Sequence, residues 1–105
     1  MAKEVSIDDL ESAIADGAYV IDVRENWEFE SGHVPKAHHV PLNSVPEKLA
    51  ELPKGQQIWV ICQAGGRSMK AADYLEANGF DAVSVAGGTG SWIAAGKQVS
   101  IEASL

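Results

Sequence analysis

The chain has 105 residues, 46% of them apolar, and a formal net charge of −7. That is the length of one domain, expected to span 1–105 around a single core with no linker. Eight singly scattered basic residues make no nucleic-acid footprint, no apolar run nears the ~20 residues of a membrane span, and one cysteine, Cys62, allows no internal disulfide.

The first predicted element is a helix opening at Val5-Ser6-Ile7-Asp8-Asp9-Leu10. Ser6 can cap it, Asp9 answers three residues on, and Val5 can staple against Leu10. Leu10, Ala13 and Ile14 face inward, and Gly17 stops the helix. Tyr19-Val20-Ile21-Asp22-Val23 reads as a buried strand, because its centre is apolar without alternation. A short polar helical piece follows from Asn26 to Ser31, then a brief strand at His38-His39-Val40 before Pro41. Ser44-Val45-Pro46-Glu47 predicts a second capping box, for a helix carrying Val45, Leu49 and Leu52 and ended by Pro53-Lys54-Gly55.

Ile58 to Ile61 is β-branched and aromatic, as for a buried strand. Ser68 to Asn78 carries Ala71, Ala72 and Leu75 at helical spacing and ends at Gly79. Ala82-Val83-Ser84-Val85 supplies another strand, followed by Gly87-Gly88 and a Trp92-Ile93 segment. The tail, Val99 to Leu105, receives no assignment. Strands alternating with helices predict an α/β fold with a mainly parallel sheet and right-handed crossovers. In open sheets of this kind chemistry collects outside the carboxyl ends of strands.

Cys62 stands at such an end, where the strand gives way to Cys62-Gln63-Ala64-Gly65-Gly66-Arg67-Ser68. The amides of a tight glycine-containing turn converge on its centre, and the following helix adds about half a positive charge at its N-terminus. With Arg67 as a nearby cation, the thiol is expected to ionise below the ~8.5 of free cysteine. Gly65 and Gly66 are expected to allow close backbone approach and unusual dihedrals. Arg67 can offer a planar fork to an oxyanion, or instead pair with a carboxylate as a structural group.

The spacing of His33, His38 and His39 with Cys62 fits no compact zinc pattern, so no metal site is expected. Trp27, Trp59 and Trp92 read as packing groups, with only Trp92, after the glycine pair, in sequence range of the site. Glu25, Glu28 and Glu30 read as a solvated helix face without a catalytic role.

Four segments then fall in a specific order. Asp22-Val23-Arg24-Glu25 follows a strand, Glu28-Phe29-Glu30-Ser31-Gly32-His33-Val34-Pro35-Lys36-Ala37 comes next, then Cys62-Gln63-Ala64-Gly65-Gly66-Arg67-Ser68, then Gly87-Gly88 with Trp92. In this set the chain resembles a single-domain rhodanese, a sulfurtransferase family, over nearly its whole length. The resemblance implies a central parallel sheet flanked by helices on both faces. It also implies that Cys62 alternates between thiolate and persulfide. Gln63, Ala64, Gly65, Gly66 and Arg67 fall on the family's loop, whose amides surround the sulfur and bind the oxyanion part of the donor, and Asp22 with Arg24 falls on a scaffold pair. One departure is Lys36, where the family often has glycine, which puts the local backbone shape in question.

No cofactor is implied. The partners implied are a small anionic donor such as thiosulfate and an outside acceptor (cyanide, a small thiol or a protein thiol), since one cysteine cannot resolve its own persulfide. With no hydrophobic signal core in Met1 to Asp9, a cytoplasmic setting is expected. Two other readings remain. A cysteine phosphatase or arsenate reductase also holds a thiolate and an arginine in an anion loop, but with five residues between them rather than the four here. The other is a persulfide carrier or partner-binding module that turns over little thiosulfate.

Overall fold

The structure, a computed structural model, describes residues 1–101. Along the chain run β1 (Lys3–Val5), α1 (Ile7–Ala15), β2 (Tyr19–Asp22), α2 (Asn26–Glu30), β3 (His38–His39), α3 (Val45–Lys48), β4 (Ile58–Ile61), α4 (Gly66–Ala77), β5 (Ala82–Val85) and α5 (Gly88–Ala94). The strands make one sheet in the order β1-β5-β4-β2-β3, and every pairing is parallel. Parallel neighbours need crossovers, which the helices provide. The central strand, β4, is the one that ends at Cys62.

Alternation along each strand divides the core in two. Ile21, Ile58, Val60 and Ala82 point to one face, where Ala71, Ala72 and Leu75 of α4 and Val45 of α3 cover them. Val20, Ile61 and Val85 point to the other, against Leu10 of α1, Phe29 of α2 and Trp92 of α5. Helices therefore lie on both faces of an α/β sheet, as expected. Ile21, Ile58, Ile61, Leu10 and Leu75 are fully buried, each contributing about 1.5–3 kcal/mol through removal of its side chain from water.

Two local readings change and one holds. Lys3–Val5 is a strand, paired Val5 to Val85 on the sheet edge, so Val5 serves the sheet as well as packing near Leu10. The Ser6–Asp9 capping box forms, with Asp9 N to Ser6 Oγ at 3.0 Å and Ser6 N to Asp9 Oδ2 at 3.2 Å. The second box does not: Ser44 Oγ donates back to the Pro41 carbonyl at 2.8 Å, and α3 is only Val45–Lys48 between two 3-10 turns, Leu42–Ser44 and Leu49–Glu51. Pro46, which has no N–H to give, sits in that first turn.

Lys36 keeps a left-handed φ of 71°, a conformation that glycine adopts more cheaply by about 1–2 kcal/mol. At this position the loop thus takes a backbone conformation that favours glycine. Ser100 pairs with His33 through two backbone hydrogen bonds of 2.9 and 2.8 Å, anchoring the start of the unassigned tail. Residues 102–105, the rest of that tail, lie outside the described residues.

Candidate active site: the Cys62 loop

Cys62 leaves β4 with its sulfur at the floor of the loop, and the residue is 1% exposed. Backbone N–H groups point at Sγ from Gly65 at 3.1 Å and Ser68 at 3.2 Å, and the Ser68 hydroxyl lies 3.4 Å away. Ser68 is in the first turn of α4, where N–H groups have no helical partner. The cap residue, Gly65, supplies no side-chain bond, so the sulfur of Cys62 occupies the place of a capping oxygen. An anion there meets both the free amides and the positive end of a 12-residue helix.

Two further loop peptides are oriented by α5, which binds their carbonyls. Thr89 N donates to the Cys62 carbonyl at 2.8 Å, and Gly90 N to the Gln63 carbonyl at 3.0 Å. In a planar trans peptide N–H and C=O point opposite ways, so this grip turns the amides of Gln63 and Ala64 away from α5. Gly65, at φ +117°, then bends the chain into α4. Gly66 takes no such conformation and a Cβ there would meet open space, so of the two loop glycines only Gly65 has the unusual dihedral expected for both.

Burial pushes the Cys62 thiol up, but the Ser68 hydroxyl and the amides of Ser68, Gly65 and Ala64 outweigh it and hold the pKa below its ordinary value. Hydrogen bonds to the charged form thus replace the cation expected from the sequence. Arg67 is turned to α2, where its Nη1 and Nη2 reach the two carboxylate oxygens of Glu28 at 2.7 and 2.8 Å. Of the two roles open to Arg67, the structure shows the carboxylate pair. That bond to Arg67 is the main reason the Glu28 carboxyl lies at about 2. Glu28 is consequently not part of a solvated face; its Oε1 also accepts from Glu25 N at 3.0 Å, tying α2 to the loop. Glu25 and Glu30 are exposed.

The chain's other arginine is also neutralised. Arg24, 2% exposed, binds the Asp22 carboxylate through Nε and Nη2, the latter at 2.8 Å, and Asp22 Oδ1 accepts from Arg24 N at 3.0 Å. Its remaining donors reach the Gly32 carbonyl at 2.9 Å and Gln63 Oε1 at 3.0 Å. The buried pair therefore fixes the side chain of the first loop residue after Cys62.

Gln63, Ala64 and Gly66 are exposed and form the rim, with Gly65 and Arg67 half-buried. Beside Gln63 a depression is lined by Trp27, Glu28, Gly32 and Ile93. Trp27 is 69% exposed there, whereas Trp92 is buried in the core with its Nε1 donating to the Gln98 carbonyl at 2.7 Å. The tryptophan near the loop is thus Trp27, brought in by α2, and not the one after the glycine pair. The histidines gather elsewhere: His33 and His39 stack on the two faces of Phe29, and His38 stacks on Tyr19.

Sequence reasoning missed two contributors. Ser84, fully buried in β5, lies 2.8 Å from Ser68 Oγ. A serine inside an otherwise apolar strand was the available signal. Glu28 sits 39 residues from Arg67, and nothing local pairs them. Among the described residues no helix is long and apolar enough to cross a membrane.

A family model described as a rhodanese-like domain matches residues 6–95. The chain is 39% identical over 92 residues to the Bacillus subtilis protein YtwF, covering 86% of this chain and 89% of that one. It is 38% identical over 77 residues to the thiosulfate sulfurtransferase GlpE of Pseudomonas syringae pv. syringae, with 72% and 73% covered. Among solved structures, a rhodanese-related protein from Thermoplasma volcanium superposes with a TM-score of 0.89 at 33% identity, over 95% of this chain and 99% of that one.

Proposed function

This chain belongs to the rhodanese-like domain family, and we propose that within it the protein is a sulfurtransferase that carries a sulfane sulfur on Cys62. The observation that supports this best is a sulfur at the floor of a four-residue loop, ringed by amides and one hydroxyl.

In the loading half-reaction the Cys62 thiolate attacks the outer sulfur of thiosulfate. The new S–S bond forms, the bond between the two donor sulfurs breaks, and sulfite leaves with the electron pair. Loop amides of Gln63, Ala64, Gly65 and Gly66 are assigned to the donor's oxygens and then to the terminal sulfur anion. In the second half-reaction cyanide or a thiolate attacks that terminal sulfur, and Sγ leaves as the thiolate. A single cradle meets the charge in both states. Phosphoryl transfer asks for a wider ring than this loop offers.

A second reading has one specific observation behind it. Glu28 occupies the fork of Arg67 and Asp22 that of Arg24, so no arginine is left for a dianion on a chain of net charge −7. That favours a carrier loaded by a small-molecule or protein persulfide, with thiosulfate a slow donor.

Incubation of reduced protein with excess thiosulfate, and separately with a small-thiol persulfide, is expected to add the mass of one sulfur atom. The added atom should map to the peptide holding Cys62 and leave on treatment with cyanide. Loading by the persulfide alone would select the carrier reading, and an unchanged mass with both donors would contradict sulfur transfer.

A further inference from the structure

The hydroxyls behind Cys62 form a chain whose protons can be counted. Ser68 Oγ has one proton and three neighbours that can accept it, the Gly65 carbonyl at 3.1 Å, Cys62 Sγ at 3.4 Å and Ser84 Oγ at 2.8 Å. Ser84 Oγ, fully buried in β5, has one hydrogen-bond partner among the described residues, Ser68 Oγ at 2.8 Å. If the Ser68 proton went to Ser84, the buried Ser84 proton would be left with no acceptor among the described residues. The buried Ser84 hydroxyl is then satisfied only by donating to Ser68 Oγ. We propose that Ser84 is a positioning residue of the Cys62 reaction, donating to Ser68 Oγ and so directing the single Ser68 proton at the sulfur whenever the sulfur is anionic.

One rotation serves both charge states. With a neutral thiol, the S–H points to Ser68 Oγ, Ser84 also donates to it, and Ser68 donates to the Gly65 carbonyl. With a thiolate, Ser68 turns to Sγ while Ser84 keeps its bond and polarises the hydroxyl between them. During loading the charge passes from Sγ to the terminal sulfur, and Ser68 returns to Gly65. During discharge the pair on the breaking S–S bond returns to Sγ, and Ser68 meets it as it forms. Ser84 therefore acts on both half-reactions without touching donor or acceptor. A strand position that could have held alanine or valine, as its neighbours Ala82, Val83 and Val85 do, holds a hydroxyl instead.

This inference rests on the sulfur-transfer reading for its effect on turnover only, because alkylation by iodoacetamide reads the thiol with no sulfur donor present. Ser84→Ala is expected to move the pH profile of Cys62 alkylation upward by about half a unit, or roughly threefold less thiolate at a pH below the inflection. Ser84→Thr, which keeps the hydroxyl, should retain the parent profile. In a Ser68→Ala background, Ser84→Ala should produce no further shift, because the intermediary is gone. Equal profiles for Ser84→Ala and the parent, equal displacement by Ala and Thr, or a shift that persists in the Ser68→Ala background would each overturn the relay. A parent protein that alkylates as proposed but takes up no sulfur would count against the sulfurtransferase reading and leave the relay standing.

Discussion

Gly88→Ala is expected to reduce sulfur loading of Cys62 by more than tenfold and to destabilise the protein by about 2–4 kcal/mol. A Cβ on Gly88 would lie 2.5 Å from the Cys62 carbonyl oxygen and 2.6 Å from both the carbonyl carbon and oxygen of Gln63. All three are backbone atoms, so no side chain can swing aside, and the φ of +58° adds its own cost for any residue with a Cβ. Relief requires α5 and the loop to part. That breaks the bonds from Thr89 and Gly90 that hold the Cys62 and Gln63 carbonyls, and the amides of Gln63 and Ala64 then lose the orientation those bonds impose. A displacement near one ångström at a reacting centre is enough for a hundredfold loss. Single-turnover loading and urea unfolding measure the two effects. Gly55→Ala, where a Cβ meets nothing within 4 Å and φ is ordinary, is the control for stability. Loading of Gly88→Ala within twofold of the parent would show that α5 does not set the loop.

Asp22→Ala is expected to cost still more stability, about 3–5 kcal/mol, because it leaves a guanidinium charged and buried. Arg24 is 2% exposed and would keep only two neutral partners, the Gly32 carbonyl and Gln63 Oε1. In a domain of this length that loss corresponds to a fall in Tm on the order of 10 °C or more. Replacing both partners at once, Asp22→Leu with Arg24→Met, removes the stranded charge and should recover most of the stability. It should recover less of the sulfur loading, since Gln63 would still lack its anchor. Thermal unfolding reads the first quantity and intact mass the second. A loss below about 1 kcal/mol for Asp22→Ala would mean that solvent reaches Arg24.

Much of this arrangement was written locally in the chain. β4 and β5 begin and end where the segments Ile58 to Ile61 and Ala82 to Val85 do, because central strands buried on both faces carry a near-continuous apolar signal that Ser84 alone interrupts. The Ser6 box was legible for a similar reason, since both partners sit within four residues. β1 was not: Lys3 and Glu4 are exposed, the strand is three residues long, and only pairing with β5 makes it one. At Ser44 the local pattern was present, but Pro46 and the nearby Pro41 carbonyl drew the hydroxyl elsewhere.

At the site, the position of Cys62 before a helix N-terminus could be read from the strand-to-loop transition. What lowers its pKa could not be. The sequence offered Arg67 as the cation, while the fold gives Arg67 to Glu28 and supplies the Ser68 hydroxyl with the amides of Ser68, Gly65 and Ala64. Those are contacts between segments far apart in the chain, and no periodicity encodes them.

The central claim is that Cys62 is a stabilised thiolate despite its burial, and its alkylation rate as a function of pH tests that most directly. A pKa depressed in the folded state means the reactive anion is already present below the range where free cysteine titrates. The rate should therefore rise with an inflection below that of free cysteine, ~8.5, and level off above it. An inflection at or above that value would show desolvation winning over the amides and the hydroxyl, and would contradict a nucleophilic Cys62 at neutral pH.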